Sequence, residues 1–133
     1  MNGNKLLLIG GVFMLVSIVL GAMAAHALAK ILPEADLNSF KTGVNYLTYQ
    51  SLAILLLALL QKQFQLQLKW ATRLIIAGTL LFSGSIFLLV MFKHNGVSVA
   101  TKILGPITPI GGLLMIVGWL LFCIESAKKL TKL

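Results

Sequence analysis

The stretch ATRLIIAGTLLFSGSIFLLVMF, running from Ala71 to Phe92, decides how this chain folds. At ~1.5 Å of rise per residue it is long enough to cross the ~30 Å hydrocarbon core of a bilayer. Its one charge, Arg73, lies a turn from the start, where the long stem carries the guanidinium back to the headgroups. Lipid offers no partner to a free N–H or C=O, so the stretch is expected to be helical. Three more runs of the same character lie to either side, Leu6 to Ala25, Val44 to Leu60 and Ile107 to Ile124, none with a charge in its middle. The expected architecture is all-α: one integral membrane domain over residues 1–133, folded as a four-helix transmembrane bundle. Composition agrees, since 59% of the residues are hydrophobic and the mean hydropathy is +0.99, far more apolar surface than a water-soluble fold of this size can hide.

The connections give the ends of the helices. Pro33 at a first helical position, followed by Glu34 and Asp36 near the positive end of the dipole, marks a helix start well before the second apolar run. Leu37, Phe40, Val44 and Leu47 then share a face, so the second helix should begin outside the membrane and run into it. Gln61 to Lys69 reads as a short polar connection with Trp70 at the interface behind it. His94 to Gly105 reads as a loop, and Thr108-Pro109 as the N-cap and first position of the last helix. Lys5 and Ala22-Met23-Ala24 also give the first run the outline of a secretory signal peptide, but the run exceeds the usual apolar core of about 7–15 residues, which favours a retained span. Seven basic residues (Lys5, Lys62, Lys69, Arg73, Lys128, Lys129, Lys132) fall on the side of the termini, against four (Lys30, Lys41, Lys93, Lys102) on the other. The positive-inside rule therefore predicts cytoplasmic termini.

Charge and composition remove several functions. The net charge of +8 comes from Lys and Arg in ones and twos at the ends of apolar runs, not from a basic cluster interleaved with aromatics, so no nucleic-acid partner is expected. The three acidic residues, Glu34, Asp36 and Glu125, lie outside the apolar runs or at their edge. A proton-coupled transporter needs an ionisable group within the membrane, so that class loses its footing, as do paired-carboxylate hydrolysis and an acid-ligated metal. The single cysteine, Cys123, excludes an intrachain disulfide and reads as an apolar filler in preference to a palmitoylation site. His26 and His94 emerge on the same outer side; ligation of haem by the pair would need both rings aimed inward at one depth, and no cofactor or metal is expected.

The polar residues inside the spans carry more information. His26 ends helix one, Tyr46, Tyr49 and Gln50 open helix two, Ser83 and Ser85 lie midway along helix three, and Thr108 opens helix four. All fall in the middle-to-outer half of the bilayer, where they either hydrogen-bond one another to hold the helices or line a ligand pocket. The structural reading is the stronger of the two. His26 is expected to reach at least one of Tyr46, Tyr49, Gln50 or Thr108. Small residues should set the close helix approaches: Ser17, Gly21, Ala25 and Ala29 form a ridge on helix one, and Gly78, Gly84, Gly111, Gly112 and Gly118 offer grooves on helices three and four. Such ridges serve intramolecular packing and homo-oligomers equally well.

Four stretches in this order, Gly21-Ala22-Met23-Ala24-Ala25-His26-Ala27-Leu28, Tyr46-Leu47-Thr48-Tyr49-Gln50, Phe82-Ser83-Gly84-Ser85 and Thr108-Pro109-Ile110-Gly111-Gly112, resemble the domain-of-unknown-function 423 (DUF423) family of small membrane proteins over nearly the whole chain. The resemblance implies a four-span protein of the bacterial cytoplasmic (inner) membrane, without an established activity. The chain departs from the family pattern at Ala24, where a glycine is usual, at Gln50, where a histidine is common, and at Phe87, where a tyrosine is common. The missing imidazole and phenol weaken an acid–base or metal role for the cluster. The leading expectation is a non-enzymatic protein that binds a lipid or a partner membrane subunit through the outer-half polar face, with a homo-oligomer also open to it through the small-residue ridges. An oligomeric permeation pathway or a small transporter without an intramembrane carboxylate comes second, and a membrane enzyme using His26 with Tyr46 or Tyr49, or a haem-binding protein using His26, third.

Overall fold

In the computed structural model, which describes residues 2–97 and 102–130, the four apolar runs are helices: α1 (Gly3–Ala25), α2 (Glu34–Phe64), α3 (Lys69–His94) and α4 (Ile107–Leu130). All four are long and apolar enough to cross a membrane. Ser98 to Thr101, within the expected outer loop, and Lys132 lie outside the described residues.

Local chemistry sets the helix ends. Asn2 caps α1 by accepting the Lys5 N–H at 3.0 Å. A single 3-10 turn, Leu28–Lys30, then leads to Pro33, which stands just before α2 and accepts the N–H groups of Asp36 and Leu37. With 31 residues, α2 is roughly 46 Å long, far more than the hydrocarbon core requires, and Phe40, Val44 and Leu47 are buried along the expected face. The connection between α2 and α3 is shorter than the sequence suggests. Gln61 to Phe64 continue α2, and the chain turns at Gln65, which takes the left-handed conformation with φ 50°. At the start of α3, Arg73 lies over the Trp70 ring, 5.3 Å from its centroid. The expected cap of the last helix is also corrected: α4 already includes Ile107, and the Thr108 hydroxyl turns to α3 instead of back to its own backbone.

The helices pack in chain order, each antiparallel to the next, with α2 and α3 in the middle. Among the described residues the backbone of α4 approaches only α3, and the backbones of α1 and α4 stay apart. Leu6, Ile54, Leu57, Leu68 and Ile75 fill the interior near the termini, and Leu28, Phe40, Val44 and Val90 fill it near the opposite end.

Small residues do set the close approaches, though not all where the sequence suggests. Ser17 is buried, its hydroxyl donating to the Met14 carbonyl at 2.8 Å. The tightest point of α1 is Gly10, where a Cβ would come 2.8 Å from the Leu55 side chain and 3.2 Å from the Ser51 carbonyl oxygen. At Gly21 a Cβ would make an ordinary 3.5 Å contact with Val44, and Ala25 and Ala29 are exposed while Ala24 is buried. The α3–α4 seam is closer. Gly78, Gly111 and Gly118 each face backbone of the other helix, with Met115 and Thr79 between them. Gly112 only grazes the Phe82 ring, and Gly84 has nothing within 4 Å.

Candidate lipid groove

The long first half of α2 creates the site. Its opening turns stand beside the last turns of α3 because Gly43 leaves room for Phe87, 2.7 Å from where a Cβ would be, and because Phe40 stacks on Phe87 with ring centroids 4.8 Å apart. Between them lies a groove of about 400 Å³, lined by Asp36, Ser39 and Thr42 of α2, Ile86, Leu89, Val90 and Lys93 of α3, and Thr108 of α4.

Polarity changes along this groove. At its mouth the Lys93 ammonium donates to Asp36 Oδ1 at 2.6 Å; the lysine side chain is 63% exposed and the aspartate 11%, so Asp36 is held inside and Lys93 stays reachable from outside. Ser39 donates its hydroxyl proton to the Ala35 carbonyl, and Thr42 to that of Asn38, each at 3.0 Å. Further along, Ile86, Leu89 and Val90 form an apolar wall. Beside it Ser85 donates to the Phe82 carbonyl at 3.0 Å and pairs with the Thr108 hydroxyl at 2.6 Å. A charged mouth that gives way to an apolar wall suits a molecule with the same gradient.

The residues expected to form one cluster are divided among five places. Ser85 and Thr108 meet, next to the groove. Tyr46 lies on Phe82 with ring centroids 4.6 Å apart and is near Tyr49 at 6.2 Å; both tyrosines are exposed. Gln50 accepts from the Trp119 indole at 3.3 Å, a side-chain contact from α4 to α2. Ser83 is buried in α3 with no hydrogen-bond partner. His26 is exposed at the end of α1; its backbone N–H bonds to Ala22, and its ring makes no hydrogen bond to Tyr46, Tyr49, Gln50 or Thr108. The cluster does not converge because the backbone of α4 seats on α3, whereas α1 packs against α2 through Gly10 and Ser51.

Sequence reasoning missed Asp36, Ser39, Thr42 and Lys93. Asp36 reads as a complement to the helix dipole and Lys93 as an interfacial anchor, each by itself. The available signal was that the expected topology puts this acid and this base on one side of the membrane, at facing ends of helices adjacent in the chain.

Four antiparallel apolar helices with a groove at one end define a multi-pass membrane protein. Residues 20–112 match the family described as protein of unknown function (DUF423). The chain is 32% identical over 122 residues to a UPF0382 membrane protein of Staphylococcus aureus, covering 92% of this chain and 94% of the relative. It is 32% identical over 126 residues to the UPF0382 membrane protein YwdK of Bacillus subtilis, covering 93% and 97%. With the UPF0382 inner membrane protein YgdD of Escherichia coli K12 it shares 29% over 129 residues, covering 96% and 93%. No solved structure matches. The chain belongs to the DUF423 family, and it is a small multi-pass protein of the bacterial cytoplasmic membrane.

Proposed function

We propose that this protein is a non-enzymatic lipid-binding membrane protein, which holds a phospholipid of the outer leaflet in the groove between α2, α3 and the start of α4. The observation that carries this reading is the gradient inside the groove: Asp36, Ser39 and Lys93 at the mouth, then Ile86, Leu89 and Val90. A phospholipid has that order of parts, and the site lies at the end of the spans, where headgroups are. The bias of seven basic residues against four supports cytoplasmic termini and hence an outer groove. A permeation path would need a polar line through both halves, and the interior near the termini is Leu6, Ile54, Leu57 and Ile75.

The reading is tested with a photoactivatable phospholipid in vesicles that carry the full chain. Adducts should concentrate on residues 36–42 and 86–93. Adducts spread evenly over all four spans would mean ordinary annular lipid and would sink the proposal. Adducts confined to the outward faces of α1 or α4 would move the binding surface away from the groove.

A further inference from the structure

We infer that the groove selects the headgroup as well as the lipid: a zwitterionic phospholipid with a primary amine, of the ethanolamine type, its ammonium on Asp36 and Ser39 and its phosphate on Lys93. This rests on the lipid reading above and goes beyond it by assigning each group of the ligand.

The donors and acceptors at the mouth of the groove select the headgroup. Asp36 is acceptor-only when ionised, and Lys93 bonds one of its carboxylate oxygens, Oδ1. The Ser39 proton is committed to the Ala35 carbonyl, so toward the groove this hydroxyl presents lone pairs only. The mouth therefore offers neighbouring acceptors on α2 and a single cation on α3. A primary ammonium carries three N–H donors and can serve the free carboxylate lone pairs and Ser39 Oγ together. A quaternary ammonium has no N–H to give and leaves both unserved. An anionic headgroup without an amine would meet Lys93 but would bring its negative charge close to the Asp36 carboxylate, and of the groove-lining residues Lys93 alone would have to balance both.

The ion pair is thus matched by an ion pair. With phosphate beside Lys93 and ammonium beside Asp36, the four charges alternate in sign, and the N⁺–H···O⁻ bonds are of the strong, charge-assisted kind. The apolar wall of Ile86, Leu89 and Val90 assigns the ligand to a lipid and not to a free phosphoethanolamine ester, because only a lipid has chains to lay along it.

The test is native mass spectrometry of the full chain in detergent, titrated with phosphatidylethanolamine, phosphatidylcholine and phosphatidylglycerol of identical acyl chains, and with soluble glycerophosphoethanolamine as competitor. The ethanolamine lipid should bind on the order of tenfold more tightly than either of the others, the scale of a charge-assisted hydrogen bond. Asp36→Asn should abolish that preference while lipid binding persists, Lys93→Gln should weaken all three lipids, and Ser39→Ala should narrow the preference. Ser39 is exposed and bonds only within its own helix, so that variant leaves the fold intact. Equal affinity for the ethanolamine and choline lipids, or an unchanged preference in both Asp36→Asn and Ser39→Ala, overturns the headgroup assignment and leaves the lipid reading standing. Binding of none of the three lipids overturns both. Competition by glycerophosphoethanolamine as strong as by the lipid makes the ligand a soluble amine ester and also overturns both.

Discussion

Gly78 and Gly111 meet backbone to backbone: a Cβ on Gly78 would lie 2.7 Å from the Gly111 carbonyl oxygen. Lipid-facing surfaces give helices no hydrophobic reason to associate, so close backbone approach and dispersion hold α4 to α3. Backbone cannot rotate aside as a side chain can. Gly111→Ala should therefore cost about 1–3 kcal/mol, the range for overpacking. Gly84→Ala, which enters open space, should stay within about 1 kcal/mol of the parent, given the better helix propensity of alanine. Thermal unfolding of the two variants in one detergent checks both; equal melting temperatures would mean the seam is not tight.

Trp119 donates to Gln50 at 3.3 Å and is a side-chain link from α4 to α2 within the spans, another being Lys129 to the Phe64 carbonyl at the helix ends. A hydrogen bond of this kind in a membrane protein averages ~0.6 kcal/mol, so Gln50→Leu should destabilise only slightly. Its optical effect should be clearer. In a Trp70→Phe background, Gln50→Leu should shift Trp119 emission to the blue as the indole loses its polar partner. An unshifted spectrum would mean the bond is not made.

Gln65 turns the chain at φ 50°, in the left-handed region that costs a residue with a Cβ. Gln65→Gly should relieve that cost and raise stability by up to about 1 kcal/mol, as glycine does at the ends of helices. A lower melting temperature for this variant would show that the Gln65 side chain contributes more than its backbone loses.

Orientation is open to direct labelling. In a Cys123→Ser background, Asn38→Cys should react with a membrane-impermeant maleimide added outside intact cells, and Lys69→Cys only after the cells are opened. Both positions are exposed, at opposite ends of the spans. The reverse pattern would put the groove in the inner leaflet.

The spans were legible in the sequence because helix length and apolarity are fixed by the bilayer, and the early start of α2 because Pro33, Glu34 and Asp36 mark it within a few residues. Which faces meet was not legible. A soluble helix shows its buried side as an apolar stripe, but α1 and α4 are apolar all round, and Leu15 and Ile18 on the outside look no different from Leu6 and Phe13 within. Hence the sequence shows the small residues as a set, but not that Gly10 makes a tight approach and Gly84 makes none. The polar cluster failed for a related reason. Similar depth brings His26, Tyr46 and Thr108 to one level, but contact also needs a shared rotation about each helix axis, and nothing in a uniformly apolar span specifies it. The ion pair of Asp36 and Lys93 lies at the helix ends, where charges are read as dipole or interface partners before they are read as partners of one another.

Filling the groove is the sharpest test of whether it holds a phospholipid. Leu89 lines the groove, whereas Leu88 beside it faces outward at 48% exposure. Leu89→Trp should occupy the apolar wall with an indole, and Leu88→Trp should add the same ring to the lipid-facing surface. Phospholipid retained per chain through purification, measured by native mass spectrometry, should match the parent for Leu88→Trp and fall to background for Leu89→Trp, with both variants folded. Retention by Leu89→Trp equal to that of the parent would contradict the account.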